Sequence, residues 1–176
     1  LRMQDRFKPE EELIYSDNGK KDMYMDGKGV FRLAVTSMPE TLDILLKKTN
    51  LKHENIKYLL KHQASEKILQ ASSEIDLQQK GFKGNLTAMI EQYRKDKVPN
   101  SCRFLGNNSG STIPTLLDIL LKKKVSNEHL ESLLVELEHY LIEEDDILAT
   151  LSVGAAPGWA GALIKMDSIY WDYLKI

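Results

Sequence analysis

"YLLKHQASEKI", residues 58 to 68, runs from an apolar segment through a histidine and a glutamine into the first turn of a helical pattern. With its flanks the stretch divides in two. "IKYLL" at 56 to 60 is a short β-rich run, whereas 63 to 75 sets Ala64, Ile68, Ala71, Ser72 and Ile75 along one helical side. The same alternation recurs along the chain. "CRFL" at 102 to 105, "ILATLSV" at 147 to 153 and "ALIKM" at 162 to 166 are further strand candidates, and 128 to 142 is a helical pattern carried by Leu130, Leu133, Leu134, Leu137 and Leu141. Strands alternating with helices predict an α/β sheet. Ligands in such sheets gather beyond the carboxyl ends of the strands, which is where His62 falls.

Composition agrees with one packed domain. The chain has 176 residues, 42% hydrophobic and 28% charged, which suits a soluble globular protein with a real core. A formal net charge of −2 supplies no field that would favour nucleic acid or an anionic membrane. No apolar run approaches the roughly 20 residues that span a bilayer, and a single cysteine, Cys102, excludes an internal disulfide framework. These features predict a cytoplasmic protein with neither a nucleic-acid nor a membrane partner. The opening "LRMQDRFKPEEELIY" is too charged for the core of a signal peptide, and its first residue is Leu1, so an upstream segment is expected to have been removed.

One internal echo stands out. "PETLDILLKK" at 39 to 48 and "PTLLDILLKK" at 114 to 123 share the string LDILLKK about 75 positions apart. Two occurrences do not make a solenoid, which needs several units. They predict two helices with similar stripes. In the second, Leu116, Leu117, Ile119, Leu120 and Leu121 cover nearly every side, the pattern of a helix buried within a layer.

Two further loops follow strand candidates. "GNNSGSTIP" at 106 to 114 has glycines that permit close backbone approach, Ser109, Ser111 and Thr112 as helix caps, and Pro114 suited to a first helical turn. "GAAPGWAGA" at 154 to 162 follows the third strand candidate. Taken singly, His62 reads as a hydrogen-bonded histidine at a strand end, and the 106–114 loop as a capped helix with an Asx turn. Together the three strand ends offer an imidazole, a carboxamide and backbone amides. Neutral donors converging on a point of developing negative charge are what an enolate or oxyanion requires. Metal chemistry has no support, because His53, His62, His129, His139 and Cys102 show no ligand spacing; no cofactor is expected either, since no phosphate-binding glycine fingerprint occurs.

At these residues the sequence resembles the 3-oxoacyl-[acyl-carrier-protein] synthases III, condensing enzymes of the thiolase superfamily, in their carboxyl-terminal half. "MDGKGVFRLAV" at 25 to 35 is similar to the family's segment opening a long helix, and "HQASEKI" at 62 to 68 to its HQAN-x-R-I motif. "GNNSGSTIP" is similar to GNTSAASIP, and "GAAPGWAGALIKM" at 154 to 166 to the closing G-x-G-x-x-W-G loop and strand. The four motifs keep the family's order over roughly residues 23 to 166. The fold so implied is half of a thiolase-like αβαβα layered fold, a mixed sheet with a buried helix. Residues 1–22 are then a linker or remnant of the preceding half, and residues 23–176 the carboxyl-terminal domain.

The resemblance also implies roles. His62 and Asn107 match the catalytic histidine and asparagine that stabilise the enolate formed when malonyl-acyl-carrier protein loses carbon dioxide. Ala155 aligns with a glycine whose backbone amide helps form the oxyanion hole. Lys67 takes the place of a basic residue implicated in carrier-protein docking, and Ser65 that of an asparagine near the pantetheine arm. The family's nucleophilic cysteine lies in the amino-terminal half, with no counterpart here, and Cys102 reads as a small buried hydrophobe on a strand. The chain is thus expected to be an acyltransferase domain that is inactive alone. Its implied partners are acyl-CoA or acyl-carrier-protein thioesters, malonyl-acyl-carrier protein, acyl-carrier protein itself, the missing amino-terminal half, and a second copy in a homodimer. The alternative is a non-catalytic thiolase-fold module pairing with a partner half or with acyl-carrier protein. The spans 78–101 and 125–146 are longer than the family's, which leaves the acyl substrate open.

Overall fold

A computed structural model of the chain describes residues 14–16, 23–83, 87–125, 127–154 and 158–167. A short antiparallel hairpin, β1 (Ile14–Ser16) with β2 (Met23–Met25), leads into the long helix α1 (Gly27–Thr49). The boundary expected between 22 and 23 therefore falls inside a hairpin. Asp26 starts α1 by accepting from the Lys28 and Gly29 amides, each at 3.1 Å, which satisfies two orphan donors of the first turn. Asn50 ends it in the left-handed conformation, φ 54°, with Lys47 and Lys48 in the last turn favourably placed against the helix dipole.

The main sheet is mixed, ordered β3 (Ile56–Lys61), β4 (Ile147–Gly154), β5 (Gly158–Lys165). β3 and β4 run parallel, and β4 and β5 antiparallel. β3 is buried at every position but Lys57, as a strand covered on both faces should be. One face carries Leu59, Ala149, Leu151 and Val153 against α1, α2 (Glu66–Gln79) and α3 (Thr87–Lys97). The opposite face carries Tyr58, Leu60 and Leu148 against α5 (Thr112–Lys122) and α6 (Glu131–Leu137), with the short turn of helix α4 (Cys102–Leu105) between α3 and α5. Helices thus cover both sides of a mixed sheet, the layering expected of half a thiolase-like fold. α1 approaches β5 so closely that a Cβ on Gly161 would lie 2.6 Å from Thr41 Cγ2 and 3.0 Å from the Thr150 carbonyl oxygen.

The repeated string LDILLKK forms two helix ends with the same ion pair, Asp43 with Lys47 and Asp118 with Lys122, each four residues apart. α5 buries Leu116, Ile119 and Leu120 while Leu117 and Leu121 are half-buried. The exposed Asp118–Lys122 pair marks an outer face, so enclosure of this helix covers part of its circumference. Several boundaries move. The helix expected over 63–75 starts at Glu66, because Ser65 caps it by accepting from the Ile68 amide. The pattern at 128–142 yields a helix only through Leu137, after which the chain breaks off and the Tyr140 hydroxyl donates to the Arg94 carbonyl. The last strand begins four residues before Ala162, at Gly158, paired in register with β4 along its whole length.

The strand expected at 102–105 is incorrect: Cys102–Leu105 is α4. The amides of Ser101 and Cys102 are taken by the Gln63 and Asn100 side chains, and those of Phe104 and Leu105 by the Ser101 carbonyl, which leaves no ladder to join. In the pairing of β3 with β4 a register shift separates Ile56 from Tyr58, and the Lys97 ammonium donates to the Ile56 carbonyl at 2.7 Å. Among the described residues no helix is long and apolar enough to cross a membrane.

Candidate active site

Alternation along β3 decides which side chain faces which layer. Tyr58, Leu60 and His62 share the α5 side, whereas Leu59 and Lys61 face the layer that contains α2. His62 lies one residue past the strand, and its amide still donates to the Leu151 carbonyl at 2.8 Å, so β4 fixes its backbone. The imidazole is buried, with Nδ1 2.7 Å from the Thr112 hydroxyl at the start of α5. Burial pushes its pKa below the usual histidine value, and no charged neighbour opposes that shift. His62 is therefore a neutral imidazole at neutral pH.

Asn107 is exposed in the loop between α4 and α5. Gly106, at φ 64°, turns the chain out of α4, and Asn107 Oδ1 then accepts from the Ser109 amide at 2.9 Å in the expected Asx turn. With its oxygen so engaged, the carboxamide keeps its NH2 as a donor. The end of β3 and the start of α5, the helix that follows the Asn107 loop, are brought together through the contact of His62 with Thr112. Ser65 is the α2 cap and Lys67 an exposed residue of the first turn of that helix. Ala155 lies outside the described residues.

Two anchors behind the site were not assigned from the sequence. Gln63 is fully buried; it donates to the Lys61 carbonyl at 2.8 Å and to the Pro99 carbonyl at 3.4 Å, and it accepts from the Ser101 amide at 2.9 Å. It thereby ties the end of β3 to the segment that leads through α4 to Asn107. Lys61 is buried with its ammonium 2.6 Å from Asp76 and 3.0 Å from the Ser72 hydroxyl, and Tyr93 donates to the same Asp76 oxygen while also meeting His53. The signal for the second anchor was a lysine ending an apolar strand at a position that faces inward. Cys102 is half-buried against the core, and burial together with the Glu66 carboxylate pushes its thiol pKa up, the reverse of an activated nucleophile.

A mixed sheet between two helical layers, with His62 at the carboxyl end of β3 and Asn107 in the loop that leads into α5, matches a half-domain of the thiolase-like class. The chain is similar to the carboxyl-terminal half of the 3-oxoacyl-[acyl-carrier-protein] synthases III, by sequence and by fold. No family model matches it. It is 31% identical over 154 residues to a β-ketoacyl-[acyl-carrier-protein] synthase III of Prochlorococcus marinus subsp. pastoris, spanning 88% of the chain and 37% of that protein. The synthase III of Thermosynechococcus vestitus is 28% identical over 155 residues, spanning 88% of the chain and 38% of that protein. The crystal structures of the 3-oxoacyl-(acyl carrier protein) synthases III from Pseudomonas aeruginosa and Aquifex aeolicus both superpose with a TM-score of 0.62, at 18% and 23% identity. They cover 89% and 88% of this chain, which in turn covers 40% of each. The chain thus spans little more than a third of the length of the curated relatives it matches.

Proposed function

We propose that this chain supplies the decarboxylation half of a Cys-His-Asn condensing site, the carboxyl-terminal domain of a 3-oxoacyl-acyl-carrier-protein synthase III-like acyltransferase. The observation that carries the reading is the neutral, buried His62, bonded to Thr112, the first residue of the helix that follows the Asn107 loop. Loss of carbon dioxide from a malonyl thioester leaves the C–C electron pair on an enolate whose negative charge rests on the thioester oxygen. The His62 ring and the Asn107 carboxamide donate to that oxygen, and a neutral imidazole does so without giving up its proton. The enolate carbon then attacks an acyl thioester, forming the new C–C bond and expelling the cysteine as thiolate.

That cysteine comes from the amino-terminal half, outside residues 23–176, because Cys102 has a raised pKa and sits against the core. The backbone amide of Ala155 completes the oxyanion contacts, Ser65 adjoins the pantetheine arm, and Lys67 contributes to docking of the acyl-carrier protein. The partner half and a second copy, in a homodimer, cover apolar surface that includes Met25 at the end of β2 and Phe31 in α1. Residues 1–22 connect to the preceding half. One observation favours a second reading: the chain's one cysteine is not activated, as befits a non-catalytic module that pairs with a thiolase-fold partner or with acyl-carrier protein.

The test uses the complete enzyme with labelled malonyl and acyl thioesters. His62→Ala and Asn107→Ala should each slow malonyl decarboxylation by about 10²-fold or more. Acylation of the cysteine, which depends on the nucleophile and its backbone amides, should change far less. Unchanged decarboxylation in both variants would remove His62 and Asn107 from the reaction, and wild type incapable of either step would favour the module.

A further inference from the structure

We infer that Thr112 is a positioning residue which holds His62 in the tautomer with the proton on Nε2, so that the ring presents an N–H donor to the substrate side. The inference deepens the reading of His62 as an oxyanion donor and rests on it for its catalytic meaning, though the tautomer itself follows from geometry alone.

Thr112 is 2% exposed, and among the described residues the partner of its hydroxyl is His62 Nδ1, at 2.7 Å. A hydroxyl carries one proton and two lone pairs, whereas a neutral imidazole has one donor and one acceptor nitrogen. Two arrangements are possible. If Nδ1 held the proton, the threonine oxygen would accept it and the hydroxyl proton would be left buried with no acceptor, a loss of free energy comparable to a missing hydrogen bond. If the hydroxyl donates to Nδ1, the buried hydroxyl proton is used, and Nε2, which then carries the ring proton, is not among the fully buried polar atoms of the described residues left without a partner. The second arrangement wins, and it forces the ring proton to Nε2.

Three features make the arrangement rigid. The His62 amide is held by Leu151 of β4, Thr112 sits in the first turn of α5, and that helix is packed on β3 through Leu116, Ile119 and Leu120. Threonine is β-branched, so its hydroxyl has few rotamers to choose from. The same residue therefore sets the proton position on His62 and the distance between the histidine strand and the asparagine turn.

The test reads the tautomer directly, by long-range ¹H–¹⁵N correlation on the complete protein labelled with ¹⁵N at histidine, with the His62 signals assigned by their loss in His62→Gln. Wild type and Thr112→Ser should both show the Nε2–H pattern. Thr112→Val, which keeps the shape but removes the proton, should lose that preference and lower malonyl decarboxylation by about tenfold, the scale of one ordinary hydrogen bond. An Nδ1–H pattern in the wild type overturns the inference, as does an unaltered Nε2–H pattern in Thr112→Val. A tautomer that shifts as described, in an enzyme whose decarboxylation does not need His62, would uphold the role of Thr112 and remove the proposed function instead.

Discussion

Lys61 and Asp76 form an ion pair at 2.6 Å with neither side chain exposed, directly behind the strand end that presents His62 on the opposite face. Two charges taken out of water lose hydration that their attraction only partly restores, so such a pair is costly to break and cheap to replace as a unit. Ser72 and Tyr93 supply the additional hydrogen bonds that make the arrangement tolerable. Asp76→Leu should therefore destabilise the fold by about 3–5 kcal/mol, because Lys61 would be left buried and uncompensated. Lys61→Met with Asp76→Leu should recover most of that loss. Urea unfolding of the wild type and both variants measures it, and a double variant no better than the single one contradicts the account.

Gln63 accounts for a different kind of stability, that of a junction. Its replacement by alanine strands the Ser101 amide and two carbonyls in a buried position, at about 1–3 kcal/mol for each group left unpaired. The Ser101 amide should lose its protection in hydrogen exchange while amides in β4 keep theirs. In the complete enzyme the same change should slow decarboxylation more than it weakens substrate binding, since it loosens the relation between His62 and Asn107. Undiminished Ser101 protection would speak against the clamp.

Gly161 permits α1 to lie against β5. Gly161→Ala should cost about 1–3 kcal/mol through overpacking, because its Cβ would meet Thr41 and the Thr150 carbonyl. Thr41→Ser, which removes the offending methyl and keeps the hydroxyl that bonds the Ser37 carbonyl, should restore part of the loss in the double variant. Additive losses in place of rescue would show that the contact lies elsewhere.

Acid should weaken the fold in a predictable window. Burial lowers the pKa of His62, and burial followed by the nearby Lys80 lowers that of His53, both from 6.5. Below 6.5 the unfolded chain binds protons that the folded chain refuses, so stability is fully present above that pH and declines as pH falls toward the lowered values. His62→Gln should show a shallower decline between pH 7 and 5 in its denaturation midpoint. A slope identical to wild type means His62 does not titrate differently on folding.

β3 and the helix after it were legible because the short β-rich run at 56–60 and the switch to helical spacing after Ser65 are local signals. So were the turn at Asn107 and the echo of LDILLKK. Cys102–Leu105 misled because its residues have strand propensity, while side chains distant in sequence, Gln63 above all, had already claimed the backbone donors a strand needs. The contacts of Thr112 with His62 and of Asp76 with Lys61 escaped for the same reason. Their partners lie 50 and 15 positions away, and no periodicity encodes which buried groups meet across layers.

The contact of Lys97 with the first carbonyl of β3 bears on solubility. Among the described residues β3 has a strand on one side only, and although the strand is buried, an unpaired flank is where a foreign strand adds on and fibrils begin once local opening uncovers it. A lysine seated on the first acceptor, beside a break in register at Ile56, spoils the template that an incoming chain would copy. Neutralising Lys97 would therefore be felt less in folding than in shelf life, as slow deposition of otherwise native protein.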